Sequence, residues 1–571
     1  MPGRRRRSQL VARIALVILG GLSAAASTAY AYSREAFPEI RPQTRDQAIG
    51  LLRSEAHTDA LCLTSRIQSI SRTPFGEAPV VRRAVALLQS RATLAREQVA
   101  PGPGGIAVRY TAAPDAYDRI NPADADADGR PDVLQAALEG LERARHVFVD
   151  RLGLPAPTDL EVLLVRLDDP INGYVAPAGD RTGRTVLVLD ASPRRGVGAV
   201  RRAAIHHYAH AIAPGLPPAW GEALATWSEL EANGGIGPRT LSRMARRLQA
   251  LSSGLLDDDL SLAAGNSIWL AFLEEAYGLA TVRLTVEELA SGGPVAAAFD
   301  RALRRSGTDD LATAFREFHL WSVLIGDRAD EHHLSFAGRL ASMSFASSVE
   351  GLPALSVQAD PALAPLGAAQ VRLTPMATRG GLRVHFEGEF AASWEADLLL
   401  FDEGGRVRRL ALELIDSRGE ITVPVADVAE AVLLVRNLGS DDGESHRYTY
   451  SAQREKDFPF VIVSAGATPT DATRPGVLVS WETASEQQLL AYNVVRSRAD
   501  SGSSASSPSR LTVNPIWIPA LGDPARSTGY RFLDHSAEPG VSYIYRIEGI
   551  TRDGLTSLSD PFIVAPAPPA E

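Results

Sequence analysis

Two histidines four positions apart and a later glutamate are the residues of this sequence best suited to bind a metal ion. His206 and His210 lie in a segment with helical apolar periodicity, and side chains at i and i+4 project from one helix face. Glu222 follows on a second predicted helix, residues 220–230. It can supply a third ligand and leave a fourth position open for water. This donor set predicts a zinc site.

The residue after the first histidine departs from the usual H-E-x-x-H pattern. In that pattern the glutamate takes a proton from the zinc-bound water. His207 stands there in this chain, so the predicted ligands are kept and the general base is replaced. We therefore expect weak or no peptide hydrolysis. The alternative is an active enzyme in which His207, or a nearby carboxylate such as Glu229, is the base, because a neutral imidazole can accept a proton near neutral pH.

The sequence around these residues resembles a bacterial group of secreted zinc metalloproteases of the gluzincin, or peptidase MA, type. Members carry a motif like H-E-x-x-H-A followed by W-x-E-A-x-A-x-W-x-E. This chain has H-H-Y-A-H-A at 206–211 and W-G-E-A-L-A-T-W-S-E at 220–229. The resemblance extends to residues 268–278 and 315–321, and so covers most of the chain.

This resemblance implies a peptidase-like fold, a peptide or protein substrate, and zinc bound by His206, His210 and Glu222. The chain departs from the family at two points. His207 replaces the catalytic glutamate, and the interval of eleven residues between His210 and Glu222 is short. A third hypothesis is a non-enzymatic adhesion or matrix-binding protein that acts through its β modules.

A second set of metal-binding candidates is an acidic loop, formed by Asp124, Asp126, Asp128 and Asp132. Carboxylates at positions 1, 3, 5 and 9, with Gly129 at position 6, follow the calcium-loop rule, although position 12 is Gln135 and not a bidentate glutamate. The alternative is an acidic helix N-terminus, because a helix is predicted from residue 133 and negative charge there suits its dipole. Mutual repulsion of the aspartates without a cation favours calcium.

The N-terminus has the pattern of an export signal. Arginines at 4–7 precede an apolar stretch at 14–26 and an A-Y-A cleavage site at 29–31, which predicts a signal peptide and a secreted or periplasmic protein. The single cysteine, Cys62, cannot form an internal disulfide. A net charge of -10 argues against a nucleic-acid partner, and beyond export we expect no membrane association.

The order of predicted elements indicates a multidomain chain, with an α+β metallopeptidase-like domain followed by two β-sandwich domains. We expect strands at 106–111, 160–165 and 185–190, and a helix at 133–152. The predicted divisions are a signal peptide at 1–31, a helical N-terminal segment or pro-region at 32–105, the metallopeptidase-like domain at 106–350, a β-sandwich at 366–455 and a fibronectin type III-like domain at 456–567.

Overall fold

The structure is a computed structural model of the 571-residue chain. It describes residues 47–49, 52, 62–72, 81, 85–88, 94–167, 171–176, 184–307, 309–374, 381–402, 404–425, 428–440, 443–455, 461–470, 476–486, 489–499, 511–521, 528–538, 540–551, 556–559 and 561–564. The predicted signal peptide lies outside the described residues. The chain divides into two units, Met1–Ala250 with Leu255–Met343, and Leu251–Gly254 with Ser344–Glu571.

The first unit contains a five-stranded mixed sheet. Its strands are β1 (Gln98–Pro101), β2 (Ala107–Tyr110), β3 (Leu160–Val165), β4 (Gly173–Ala176) and β5 (Thr185–Asp190), in the order β1-β2-β3-β5-β4. The central strands β2, β3 and β5 are parallel, and β4 lies antiparallel to β5 at one end of the order. The predicted strands at 160–165 and 185–190 are therefore confirmed as β3 and β5. Both are almost wholly buried, as is usual for parallel strands.

Helices make up most of the rest of the first unit. They are α1 (Thr64–Arg72), α2 (Asp132–Arg145), α3 (Val197–Ile212), α4 (Pro218–Asn233), α5 (Pro238–Gln249), α6 (Leu260–Ala263), α7 (Ser267–Tyr277), α8 (Leu279–Ala290), α9 (Val295–Ser306) and α10 (Leu311–Val323). The helix predicted over 133–152 ends earlier, at Arg145, and the chain continues as a π-helical turn, His146–Arg151.

A close approach between α2 and α3 fixes the helix that carries the histidines. A Cβ atom at Gly140 would lie 2.5 Å from the Arg201 carbonyl oxygen and 2.7 Å from the Ala204 Cβ. Glycine is therefore required where the two backbones meet. The α3 residues from Ala203 to Ala211 are buried on all sides, which is typical of a helix inside a core and not of a surface helix.

The second unit consists of β-strands. They are β6 (Ser347–Val349), β7 (Ala354–Gln358), β8 (Gly367–Leu373), β9 (Gly381–Gly388), β10 (Ala392–Phe401), β11 (Val407–Leu412), β12 (Arg418–Pro424), β13 (Glu430–Ser440), β14 (Tyr448–Glu455), β15 (Val461–Pro469), β16 (Val477–Ser485), β17 (Leu489–Arg498), β18 (Leu511–Thr512), β19 (Ile518–Pro519), β20 (Thr528–Asp534), β21 (Tyr543–Thr551), β22 (Thr556–Leu558) and β23 (Phe562–Val564). The chain is thus multidomain, with a largely helical unit followed by several β-sheets.

Two pairs of sheets in the second unit each enclose a core. The sheets β11-β10-β13-β8-β6 and β12-β9-β14-β7 share one cluster of buried side chains, which includes Phe386 and Leu398. A second cluster lies between β15-β16-β20 and the sheet around β17 and β21. In that cluster the Trp481 ring stacks on Tyr530, with ring centroids 5.2 Å apart. These aromatic side chains therefore lie in the core.

Across the described residues, none of the helices has both the length and the apolar character needed to cross a membrane.

Candidate metal centre

Two helices and the turn between them bring the predicted ligands together. α3 begins after Gly196 and ends before a turn at residues 213–217 that contains Pro214. α4 begins at Pro218, where a proline costs no hydrogen bond, and ends at Gly234 in the left-handed conformation (φ 62°). The short connection returns Glu222, near the start of α4, to the histidine face of α3.

The predicted ligands and Cys62 form one buried cluster. Glu222 Oε1 lies 3.2 Å from His206 Nε2, and Glu222 Oε2 lies 3.2 Å from His210 Nε2. The sulfur atom of Cys62 lies 3.8 Å from His210 Nε2. One ligand atom from each of these four residues lies within 4.8 Å of every other, and all four residues are buried.

These separations are near the edge lengths of a zinc coordination tetrahedron, with the two histidines contacting different oxygen atoms of Glu222. With zinc–nitrogen and zinc–oxygen bonds of ~2.0–2.1 Å and a zinc–sulfur bond of ~2.3 Å, neighbouring ligand atoms lie about 3.3 Å apart for N and O and about 3.5 Å apart for N and S. The observed distances, 3.2, 3.2 and 3.8 Å, are close to these values. The donor set, soft sulfur and imidazole with one carboxylate, also suits zinc.

A buried nitrogen atom points into this cluster without a hydrogen bond. His206 is 3% exposed, and among the described residues its Nε2 has no hydrogen-bond partner, although Glu222 Oε1 is 3.2 Å away. The two atoms are close but are not aligned as a donor and an acceptor. The contact is an ion pair when His206 is protonated, and a cation between the two atoms would take the place of that proton. The cluster therefore fits a metal ion.

Two contacts from outside the cluster orient its side chains. Glu229 Oε1 lies 2.8 Å from His206 Nδ1, so Nδ1–H donates to this carboxylate and the Nε2 lone pair faces the cluster. The hydroxyl of Ser65 donates to Glu222 Oε2 at 3.2 Å. Such partners usually accompany metal-binding histidines and carboxylates. Glu229, which the sequence suggested as an alternative base, thus holds the imidazole of His206 in position.

The charges of the cluster are strongly coupled. Burial would raise the pKa of Glu222, but His206 and His210 hold that pKa well below its usual value. Burial would lower the pKa of His206, but the carboxylate of Glu222 raises it well above its usual value. Burial would also raise the pKa of the Cys62 thiol, yet the neighbouring histidines bring it well below its usual value. The donors therefore favour ionised forms, and a metal cation would replace the protons on the histidines.

His207 lies beside the cluster and is not one of its four residues. The ring is fully buried, with Nε2 3.2 Å from Asn172 Oδ1 and Nδ1 3.3 Å from Thr64 Oγ1. The Thr64 hydroxyl accepts from the Val175 N–H, so its hydrogen can go to His207 Nδ1, and His207 Nε2–H donates to Asn172. Burial lowers the pKa of His207, in keeping with this neutral form.

A glycine makes room for the ring of His207. A Cβ atom at Gly173 would lie 2.8 Å from His207 Nε2 and 2.5 Å from the Val188 carbonyl oxygen. The position that usually carries the general base is therefore occupied by a ring with both nitrogens in hydrogen bonds. The sequence also left a fourth ligand position open for water. In the structure the Cys62 thiol belongs to the same buried group as His206, His210 and Glu222.

Cys62 is the residue of this site that sequence reasoning missed. It precedes His207 by 145 residues, and no local spacing relates the two. Its main chain forms an isolated parallel bridge with Gly173 of β4, and this pairing holds the thiol beside the histidines. The sequence signal available was that this is the single cysteine, within the stretch predicted as a helical N-terminal segment or a pro-region.

The acidic loop forms a different kind of cluster. Asp124, Asp126 and Asp128 come together, and Asp132 is not part of the group. Asp132 Oδ1 instead accepts from the Ala125 N–H at 3.1 Å, which closes the loop ahead of α2. The carboxylate of Asp124 accepts from the N–H groups of Asp128 and Gly129 at 3.2 and 3.0 Å. These carboxylates thus have partners within the loop.

Comparison with known proteins does not assign the chain to a family. No family model matches it, and no curated protein matches it. Among solved structures it is similar to a Fn3-like protein from Clostridium thermocellum, at 18% identity over 20% of this chain and 96% of that one, with a TM-score of 0.13. It is also similar to a beta-1,2-glucanase from Parabacteroides distasonis, at 14% identity over 39% of this chain and 34% of that one, with a TM-score of 0.14. The chain therefore spans about a third of the glucanase.

Proposed function

We propose that this protein is an exported homologue of zinc metallopeptidases that binds one zinc ion and hydrolyses peptides weakly or not at all. The observation that carries the proposal is the convergence of His206 Nε2, His210 Nε2 and the Glu222 carboxylate at 3.2 Å separations inside the core. Two helical histidines with a returning carboxylate are the ligand set of many zinc peptidases. The imidazole of His206 is oriented by Glu229, as expected for such a ligand.

The surroundings of His207 support the loss of efficient hydrolysis. A general base must reach the water that it activates, within about 2.6–3.2 Å or through one further water. Asn172 and Thr64 engage the nitrogens of His207, so a proton acceptor is not free at that position. Glu229 is also engaged, by His206 Nδ1. The alternative of an active enzyme with either residue as base is therefore the weaker one.

If zinc were bound, it would act as a Lewis acid and lower the pKa of a water ligand. The chain's own residues have the other roles. His206, His210 and Glu222 would hold the ion, and Glu229 would fix the tautomer of His206. Position 207 lacks the carboxylate that would move a proton from water to the leaving amine.

Metal analysis of the purified full-length chain tests the ligand assignment. We expect about one zinc per chain in the wild type and little in His210→Ala. The matched control is His332→Ala, because the His332 side chain is 77% exposed and does not belong to the cluster. Equal zinc in the wild type and His210→Ala would contradict the proposal. A chain that binds no zinc even when zinc is added would favour the adhesion hypothesis.

A peptidase assay tests the role of position 207. The comparison is made in a Cys62→Ser chain, so that the thiol does not lie where water would bind. Adding His207→Glu should raise hydrolysis by ~10²–10⁴-fold, the usual contribution of a general base. Adding His207→Gln, which has a similar shape and no basic group, should not. Brisk cleavage by the Cys62→Ser chain that adding His207→Glu leaves unchanged would show that the active-enzyme alternative is correct.

A further inference from the structure

The segment that carries Cys62 contacts the site at several points. We call residues 62–65 the cap segment. The Thr64 hydroxyl contacts His207 Nδ1 at 3.3 Å and accepts from the Val175 N–H at 3.0 Å. The Ser65 hydroxyl contacts the Pro218 carbonyl oxygen at 2.9 Å and Glu222 Oε2 at 3.2 Å. The cap segment is thus attached to β4, α3 and α4 at once.

The cap segment also occupies the edge of the sheet. β4 is the last strand in the order β1-β2-β3-β5-β4, and the Cys62 main chain pairs with Gly173 at the start of β4. An unpaired edge strand is a template on which an extended peptide can add through main-chain hydrogen bonds. At Gly173 this edge is occupied by the protein's own chain.

The thiol has the place and the chemistry of a fourth metal ligand. Cys62 is 7% exposed, and its sulfur lies 3.8 Å from His210 Nε2, close to a tetrahedral edge. An independent observation points to a ligand here, because His206 Nε2 is buried, faces the cluster and lacks a hydrogen-bond partner among the described residues. Four protein ligands make a closed site, whereas three ligands and a water make a catalytic one.

We propose that Cys62 is the fourth ligand of the bound zinc and that the cap segment is a built-in inhibitor of the site. The inference rests on the proposed zinc site. Cys62 excludes water from the metal, and its pairing with Gly173 covers the adjacent strand edge. Displacing the cap segment would therefore free a coordination position and a peptide-binding edge together, so this form of the chain is latent.

Cobalt(II) substitution of the full-length protein tests this inference directly. Cobalt(II) bound by a thiolate gives a near-ultraviolet charge-transfer band, and Cys62 is the only cysteine in the sequence. We expect the band in the wild type and its loss in Cys62→Ser, which should still bind cobalt. The affinity for zinc should fall at least about tenfold, as even the loss of a partner that orients a ligand costs ~10–100-fold.

A second measurement on the same samples tests whether a coordination position of the cobalt ion is open. Acetohydroxamate, a small metal-binding probe, should change the visible cobalt bands of Cys62→Ser and leave those of the wild type unchanged. His332→Ala should behave as the wild type. The inference would be overturned if the wild-type spectrum lacked the thiolate band. It would also be overturned if acetohydroxamate changed the wild-type spectrum as strongly as that of Cys62→Ser. Either result would leave the three-ligand site as proposed. Failure of the wild type and of Cys62→Ser to bind cobalt would overturn both.

Discussion

Two clusters in the first unit collect potential metal ligands, and they differ in how their atoms are satisfied. In both clusters the ligand atoms lie within 4.8 Å of one another. The cluster around Glu222 is buried, and its His206 Nε2 has no hydrogen-bond partner among the described residues. The loop of Asp124, Asp126 and Asp128 is half-buried or exposed, and backbone N–H groups occupy its carboxylates.

This contrast shows that proximity of ligand atoms is a weak argument for a metal, and that burial and missing hydrogen bonds are stronger ones. Exposed carboxylates are solvated by water and can be held by the turn that they cap. Buried donor atoms without partners carry a desolvation cost that a cation can offset. We therefore expect metal removal to affect the two clusters very differently.

The largest effect should come from removing zinc. A ligand that binds only the folded state stabilises it by RT ln(1 + [L]/Kd), which is about 4 kcal/mol at a concentration of 1,000 Kd. We expect a zinc-selective chelator to lower the free energy of unfolding of the first unit by about this amount. Calorimetry with and without the chelator measures the change. Asp126→Ala is the control. The chelator should lower its free energy of unfolding by the same amount as in the wild type, since Asp126 does not contact the buried cluster.

The expected difference between the two clusters would be contradicted if the unfolding midpoint of the first unit were the same with saturating zinc and with the chelator. It would also fail if His210→Ala responded to zinc as strongly as the wild type, because that variant lacks a ligand from α3.

The grouping of His206, His210 and Glu222 could be predicted from the sequence because the information for it is local. His206 and His210 are one helical turn apart, and the turn before Pro218 returns the chain to them. The same kind of argument found β3 and β5, which are short apolar runs. Residues whose relation is set by periodicity or by a tight turn can thus be placed from the sequence alone.

The place of Cys62 in this cluster could not be predicted, because its contact is set by tertiary packing. The Cys62 sulfur and His210 Nε2 are separated by 148 positions in the sequence. The contact depends on the main-chain pairing with Gly173 and on the hydrogen bonds of Thr64 and Ser65, and neither Cys62 nor Gly173 belongs to a recognisable motif. Asp132, which the spacing assigned to the same loop site, lies outside the group of Asp124, Asp126 and Asp128. Its spacing fits a calcium loop, but it begins α2 and its carboxylate accepts from the Ala125 N–H.

A smaller effect should follow from weakening the hydrogen bond that orients His206. Glu229→Gln keeps the shape of the side chain and removes its charge, so the imidazole becomes a poorer ligand. Zinc affinity should fall by ~10–100-fold, which is about 1.4–2.7 kcal/mol. Competition with a chelator of known affinity measures it. Glu231→Gln, on the same helix and paired with Arg151, is the matched control. Equal affinities for both variants would show that Glu229 does not orient the ligand.

The acidic loop provides a test of comparable or smaller size. We predict a structural calcium ion at Asp124, Asp126 and Asp128 with oxygen ligands at ~2.3–2.6 Å and an affinity in the 10⁻⁴–10⁻³ M range of extracellular modules. Calcium at ten times Kd should then stabilise the unit by about 1.4 kcal/mol. Thermal unfolding with and without calcium measures it, in zinc-loaded protein. The loop is only an acidic turn before α2 if the unfolding midpoint does not change on adding calcium and is the same in Asp126→Ala as in the wild type.

The smallest effect concerns Glu274, a half-buried carboxylate outside the metal-binding cluster. It shows how burial changes the pKa of a carboxylate there. It accepts from Trp227 Nε1 at 3.0 Å, and Arg151 lies 3.5 Å away. Burial, followed by the charge of Glu231, raises its pKa from 4.5 to about 7. The folded state therefore binds a proton that the unfolded state has released, and stability falls as pH rises from about 5 to about 8.

Replacing this carboxylate with a neutral amide isolates its contribution. Relative to the wild type, Glu274→Gln should have a higher unfolding free energy at pH 8 than at pH 5.5. The difference should be roughly 1 kcal/mol after allowing for solvent and for Arg151. Urea unfolding of wild type and variant at the two pH values measures this difference. Glu287→Gln, which removes a surface pair with Arg283, should act alike at both values. If Glu274→Gln also changes the unfolding free energy equally at the two pH values, burial does not raise the pKa of this carboxylate. The argument that burial is costly for Glu222 would then be weaker.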